Sequence, residues 1–267
     1  MTWRPAVSVL MAVHDGLPFV TDAVRSLLAQ TLADLEVVVI DDGSADGSAA
    51  ALEALGDPRV VVVRRARAGL TRSLNHALGL SRAPLVGRLD ADDLSMPERL
   101  ARQCAFLGAH PGIGLLGTAA VEIDAEGRQV GLVSPPTDDA ELRRALIRRN
   151  PFVHSSVVMR RELVERLGGY DESFVRAQDY DLWLRLSVVT RLANLPEPLV
   201  ARRLLPRRVS VVDDGERLRG ELRARWRAVE AGSYPRWCAI FAVRPLLALA
   251  LPRRARRLVR AARAAAR

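Results

Sequence analysis

Short apolar runs alternate with helix-spaced apolar residues through the first third of the chain, and three of the first four runs end in acid. Ala6–Val13 leads into His14-Asp15, Leu35–Ile40 into Asp41-Asp42-Gly43-Ser44, and Leu85–Leu89, the fourth run, into Asp90-Ala91-Asp92-Asp93; Val60–Val63, the third, does not end in acid. Such runs suit strands buried on both faces. Between them Val20, Val24, Leu27 and Leu28 recur at helical spacing, Asp46–Leu55 reads as a helix, and Leu70, Leu74, Ala77 and Leu78 mark another. The rhythm predicts an α/β fold with a mostly parallel central sheet and helices on both faces.

The second half is more mixed. Ser95-Met96-Pro97-Glu98 has the pattern of a capping box with Pro in the first turn, before a helix expected to bury Leu100, Cys104 and Leu107. Ile113–Ile123 and Arg128–Val133 read as strands around a Glu126-Gly127 turn, and Glu141–Ile147 as a helix. Ser156–Met159 reads as a short strand, and Asp179–Leu186 as a helix with Trp183 and Leu186 on the face of Asp179.

In an open parallel sheet, ligands bind outside the carboxyl ends of the strands, so the strand-end acids are expected to meet in one crevice. Converging carboxylates repel unless something positive lies among them. A hard divalent cation is the usual solution, and Mg²⁺ combines one or two carboxylates with substrate phosphates. Alone, Asp41-Asp42-Gly43-Ser44 reads better as a turn and Asp90-Ala91-Asp92 is common by chance; their recurrence at strand ends two βα units apart favours a site.

Composition removes other chemistries. All 40 basic residues are arginine. Without lysine there is no Walker-A phosphate contact, no kinase strand lysine and no Schiff-base amine. Gly112-Ile113-Gly114-Leu115-Leu116-Gly117 fits G-x-G-x-x-G, but it follows a helix and enters a strand, the reverse of a dinucleotide fingerprint. The four His and two Cys lack zinc-ligand spacing, and no G-x-S-x-G elbow is present.

The segments VSVLMAVHDG, LEVVVIDDGSADGS, RAGLTRSLNHALGLSRAPLVGRLDADDLSMPERL, NPFVHSSVVMRR, GGYDE and AQDYDLWLRL follow one another over residues 6 to about 200. In order and spacing they resemble family 2 glycosyltransferases of the GT-A fold. The resemblance implies an inverting enzyme dependent on Mg²⁺ or Mn²⁺. It would move one sugar from a nucleotide-diphospho-sugar to a hydroxyl on a glycan or lipid-linked acceptor, in cell-surface glycan, glycolipid or polysaccharide biosynthesis. It further implies nucleotide binding by Asp41 and Asp42, the metal on Asp92, Asp90 near the ribose or metal, and Asp179 as catalytic base.

Three departures from the family pattern matter. The first loop reads Ala12-Val13-His14-Asp15 where the family often has Pro-x-Tyr-Asn; His14 is expected to stack near the base, and Asp15 to bind the base or ribose. Gln178 precedes Asp179 where Glu is common, which leaves the base in place and bears on its pKa. The Gln-x-x-Arg-Trp signature of processive synthases is missing, so one sugar per encounter is expected. Arg67, Arg72 and Arg88 lie near the expected diphosphate, with no basis for choosing among them. His154 and Ser155 either line the acceptor or phosphate side or form a satisfied core pair. Asn75 is expected to cap or cross-link the loop before the fourth strand, and Gly168-Gly169-Tyr170 to form a turn that positions the acceptor loop. Two other readings use the same acids: a metal-dependent sugar-phosphate nucleotidyltransferase, and a non-catalytic membrane-peripheral scaffold.

Charge divides the chain. Residues 1–200 hold 22 Arg and 26 acids, a net −4; residues 201–267 hold 18 Arg and 5 acids, a net +13. A catalytic domain over 1–212 and a basic amphipathic helical extension over 213–267 are therefore expected, with no nucleic-acid partner. In the extension Leu218, Leu222, Trp226 and Val229 form an apolar stripe, and Trp237–Val243 and Leu246–Leu251 are strongly apolar. These helices suit either an anionic membrane surface or packing as a lid or dimer contact. Two cysteines and no apolar stretch long enough to span a bilayer suggest a reducing, cytoplasmic location, peripheral on the membrane if the tail binds it.

Overall fold

The computed structural model describes residues 4–205 and 214–250. The first half alternates β1 (Val7–Val13), α1 (Val20–Leu28), β2 (Leu35–Asp42), α2 (Ser48–Glu53), β3 (Val60–Arg65), α3 (Leu70–Leu80) and β4 (Leu85–Arg88). Next come β5 (Leu94–Ser95), α4 (Arg99–Ala109), β6 (Ile113–Ile123), β7 (Gln129–Val133) and α5 (Asp139–Leu146). A 3₁₀ turn (His154–Ser156), β8 (Val158–Arg160), α6 (Arg161–Arg166), α7 (Gln178–Val189) and β9 (Arg191–Arg203) complete the body. The C-terminal part holds α8 (Asp214–Glu230), a 3₁₀ segment (Arg236–Ala242) and α9 (Val243–Ala250).

The strands form one sheet in the order β3-β2-β1-β4-β8-β6-β9-β5, with β7 on β6. The expected parallel pairing holds from β3 to β4. Beyond β4 the sheet is mixed: β8 runs antiparallel to β4 and β6, whereas β9 is parallel to β6. The antiparallel β8 is what brings the turn before it to the carboxyl end of β4.

Strand alternation divides the core between the two faces. In β1, Leu10 packs with Val38, Ile40 and Leu74 on the α3 side, while Val9 and Met11 pack with Val24, Leu27 and Leu100 on the side of α1 and α4. Both clusters are closed to solvent. Truncating a side chain such as Leu10 to Ala costs about 2–5 kcal/mol in such surroundings.

Two local expectations need correction. Ser95 does not cap α4. It lies in β5, where its hydroxyl accepts from Gln30 Nε2 at 3.0 Å, and α4 starts at Arg99 with no side-chain cap. Cys104 is only half-buried, unlike Leu100 and Leu107. In α8 the buried face is Leu218, Ala224, Arg225 and Ala228, whereas Trp226 points to solvent. Ala224 and Ala228 join the apolar cluster of Trp183, so α8 packs on the body. The arginines at 207–208 and the Arg-rich stretch after position 250 lie outside the described residues.

The G-x-G-x-x-G glycines serve packing. A Cβ on Gly114 would strike Leu163 and Thr190, and one on Gly117 would strike Asn194 and Phe152. The motif lets β6 lie close to its neighbours.

Candidate active site

The strand order reverses direction of growth at β1 and β4, since β2 and β3 extend one way and β4 lies on the other side. Such a switch point opens a crevice at the carboxyl ends of the strands. His14 and Asp15 follow β1, Asp41 and Asp42 end β2, and Asp90, Asp92 and Asp93 follow β4.

The first two loops are clasped together. Asp15 donates its N–H to Ser44 Oγ at 3.0 Å, and its carboxylate accepts from the Ala45 N–H at 2.8 Å. The Gly16 N–H reaches Ser48 Oγ, and the Leu17 N–H reaches Asp46. His14 Nδ1 lies 3.0 Å from the Asp42 carbonyl oxygen. The two neighbouring acids of β2 then separate in role. Asp42 accepts from the N–H groups of Ala68 and Gly69 at 2.8 and 2.9 Å, and from Ser73 Oγ at 3.0 Å. It therefore fixes the turn that leads into α3, with both oxygens engaged. Asp41 is also buried, with a single 3.3 Å contact from the Ser44 N–H.

At the end of β4, carboxylate oxygens of Asp90, Asp92 and Asp93 lie within 4.8 Å of one another. Ser155 holds two of them. Its hydroxyl is 2.9 Å from Asp90 Oδ2 and 2.6 Å from Asp93 Oδ2, and it accepts the Asp90 N–H at 3.1 Å. Asp93 is fully buried and also accepts the Arg203 N–H at 2.8 Å. Arg88, likewise closed to solvent, pairs with Asp90. Arg99 donates to the carbonyls of Arg88 and Ser155. Burial lowers the Arg99 guanidinium to about 9, still charged at neutral pH. The Arg203 side chain donates to the Asp92 carbonyl at 3.1 Å. Three buried arginines thus already relieve part of the repulsion among the acids. The three oxygen-donor groups form a hard ligand set that fits Mg²⁺ or Mn²⁺.

Asp179 stands in the first turn of α7. Asn150 Nδ2 donates to its Oδ2 at 2.8 Å, while Asn150 Oδ1 accepts the Phe152 N–H. Burial raises the carboxyl to about 6, opposed by hydrogen bonds from the Tyr180 N–H and Asn150 and assisted by the charges of Asp90 and Glu221. A helix N-terminus favours a carboxylate by about 0.3–1 kcal/mol. The rise from 3.8 corresponds to roughly 3 kcal/mol in the other direction, so desolvation wins. Asp179 follows Ala177, whose φ of +63° is left-handed; with Asp15 at +51°, these are the non-glycine residues of that kind among the described ones. Both flank the site, where such strain concentrates.

Between the acid groups lies His154, whose Nε2 is 3.1 Å from the Tyr170 hydroxyl and whose ring meets Trp183 edge-on. Burial lowers its pKa to about 3 and keeps it neutral. Asn75 binds the turn beyond it, donating to the Tyr170 carbonyl and accepting the Tyr170 N–H. Of the three arginines left open, Arg88 is committed to Asp90 and Arg72 pairs with Glu172 at 3.2 Å.

All the expected site residues therefore lie at the ends of β1, β2 and β4 and the start of α7, with Asp90 and Asp179 in electrostatic reach of each other. Sequence reasoning did not assign Asp93, Asn150 or Arg99. Asp93 was visible only as the last letter of an acid run. Asn150 and Ser155 sit together in NPFVHSS, a signal for polar groups fixed beside the acids.

A family model described as Glycosyl transferase family 2 matches residues 8–168. The amylovoran biosynthesis glycosyltransferase AmsE of Erwinia amylovora is 33% identical over 180 residues, covering 66% of this chain and 67% of that one. The mannosyltransferase PcManGT of Pyrobaculum calidifontis, solved with GDP-Man and Mn²⁺, superposes with a TM-score of 0.66 at 23% identity over 99% of this chain and 81% of its own. S. aureus TarS 1-349, solved with UDP, gives a TM-score of 0.64 at 20% identity over 82% of this chain. The alignment covers 64% of the TarS fragment, just under two thirds. These structures share the GT-A fold with this chain. With the family model spanning more than half its length, this chain belongs to glycosyltransferase family 2 and is a glycosyltransferase.

Proposed function

We propose that the enzyme moves one sugar per encounter from a nucleotide-diphospho-sugar to a hydroxyl acceptor with inversion, in the assembly of a cell-surface glycan. The observation that carries this reading is Asp179: a carboxyl at the start of α7, held by Asn150, raised to about 6 and within the field of Asp90. A base poised just below neutral pH is matched to accepting a hydroxyl proton.

Inversion is one in-line displacement. Asp179 takes the proton of the acceptor hydroxyl as its oxygen bonds to the anomeric carbon, while the bond from that carbon to the diphosphate breaks. The transition state has oxocarbenium character. Asp90, Asp92 and Asp93 would hold a divalent cation, which when bound supplies Lewis-acid stabilisation to the departing diphosphate. Ser155 and Arg88 fix Asp90, and Ser155 and the Arg203 N–H fix Asp93, so these acids are set before substrate arrives. Asp41, His14 and Asp15 surround the place proposed for the nucleoside. Asp42 acts there through the turn into α3, which it holds. The relative AmsE, named for amylovoran biosynthesis, and PcManGT, bound to GDP-Man and Mn²⁺, support the donor class and the glycan setting.

The test is a panel of nucleotide sugars with Mg²⁺ or Mn²⁺. Release of nucleoside diphosphate and a product of inverted anomeric configuration are expected. Pyrophosphate release would instead identify a nucleotidyltransferase.

A further inference from the structure

We propose that the C-terminal helices carry a docking face for an anionic bilayer, built from Trp226, Trp237, Ile240, Val243, Leu246 and Leu247. Five of these are 55–65% exposed, and Val243 is 48% exposed. They make up six of the fifteen large hydrophobic side chains exposed among the described residues; the other nine are scattered over the body. The spacing of the last five makes one stripe, and Trp226 stands exposed on the preceding helix. Trp237, Ile240 and Val243 repeat every three residues through the 3₁₀ segment, and Leu246 and Leu247 continue at helical spacing in α9.

The face is not open because the extension is undocked. The opposite side of α8 is seated on the catalytic body: Ala224 and Ala228 enter the core, and Arg225 Nε donates to the Tyr180 hydroxyl at 3.0 Å. Arg227 pairs with Asp171 at 2.5 Å, and Arg223 binds Ser173. A Cβ added at Gly220 would strike the Arg176 carbonyl oxygen and lie 3.2 Å from the Ala177 Cβ, so a side chain there would clash. Trp226 is six residues further on, roughly 9 Å along the helix axis. Trp226 is therefore fixed on the element that touches the turn leading into Asp179, and the other five residues lie on the two segments that follow it.

Charge identifies the occupant. Residues 201–267 carry +13, and positions 251–267 alone add seven arginines with no acid. A second copy would set two such regions against each other. Tryptophan and aliphatic side chains among arginines suit the bilayer interface, where rings and methyl groups enter the headgroup boundary and guanidinium groups meet lipid phosphates. No helix among the described residues is long and apolar enough to cross a membrane, so the mode is docking on the surface.

The proposal stands apart from the sugar-transfer reading, and its test needs no substrate. The full chain is mixed with phosphatidylcholine vesicles, with or without phosphatidylglycerol, and followed by sedimentation and tryptophan emission. Binding to the anionic vesicles should be at least about tenfold tighter than to the neutral ones, fall with salt and shift the emission to the blue. Trp237→Ser with Leu247→Ser should weaken binding by about tenfold or more without changing the melting temperature. Trp226→Ser, a separate variant, should weaken it less, in the same direction. Equal binding of wild type and variants, equal affinity for neutral and anionic vesicles, or an apolar face consumed by dimerisation in light scattering with vesicles left unbound would each overturn the proposal.

Discussion

Two sets of carboxylates face the same crevice and are built in opposite ways. The acids after β4 sit in a dense polar network: Ser155, the Arg203 N–H and the buried Arg88 all engage them. Asp179 has one side-chain donor, Asn150, and apolar neighbours around α7. The first arrangement stabilises fixed negative charge, as a binding site for a cation requires. The second leaves a carboxyl whose charge is costly, as a proton acceptor requires. One chemical group therefore serves two purposes, and the surroundings decide which.

The largest effect expected from this contrast is in Asp179→Asn. Turnover should fall by about 10²–10⁴-fold while nucleotide-sugar affinity is retained. Stability should move the other way. The native carboxyl titrates near 6 against 3.8 in its ordinary state, so between these values the folded chain holds more protons than the unfolded one. Wild-type stability thus falls as pH rises through that window and stays lower above it. The variant should match the wild type below about pH 4 and exceed it above about pH 6, by on the order of 1–3 kcal/mol. Melting curves across pH check this. A variant with full turnover would remove Asp179 from the base role.

The next largest effects separate the acids after β4 from one another. Asp92→Asn should reduce Mn²⁺ affinity, read by calorimetry, with little change in melting temperature. Asp93→Asn should destabilise by about 1–3 kcal/mol, because its carboxylate lies closed to solvent against Ser155 and the Arg203 N–H. Ser155→Ala should combine a smaller loss of stability with about 10–100-fold weaker metal binding, through misplacement of Asp90 and Asp93. Equal stability losses at Asp92 and Asp93 would break the distinction between an acid held mainly for the cation and one that also anchors the start of β5 to the end of β9.

How far this contrast was legible in the sequence depends on range. The apolar runs fixed β1 to β4, and the acids at their ends were visible because a strand end is a local property. The helix of Asp179 was visible for the same reason. The long-range pairings were not. Nothing near Ser155 shows that antiparallel β8 carries it to the end of β4, or that Arg203, over a hundred positions from Asp93, meets it across the β5–β9 pair. Local pattern also misled at Ser95, where a capping spacing lost to strand pairing with β9. Spacing puts Trp226 in an apolar stripe without saying what the stripe faces; α8 buries the small Ala224 and Ala228 to approach α7 closely and leaves Trp226 exposed. Arg88 and Arg99 were unreadable as a buried pair, because an arginine signals exposure until its partners are known.

The smallest effect is the one that bears most directly on how Asp179 is tuned. Its hydrogen bond from Asn150 favours the carboxylate, whereas burial and the charges of Asp90 and Glu221 favour the protonated form. Removing the donor in Asn150→Ala leaves the opposing causes intact, so the carboxyl should titrate higher than in the wild type. The acid limb of the kcat profile, expected near 6, should move upward, with kcat down a few-fold at pH 7 and largely restored at pH 8–9. Asn150→Asp would place a second acid beside the base and raise it further in the same direction. A uniform loss of kcat at every pH, with no movement of the limb, would mean that Asn150 orients the turn through its bond to the Phe152 N–H and leaves the proton affinity of Asp179 to burial alone.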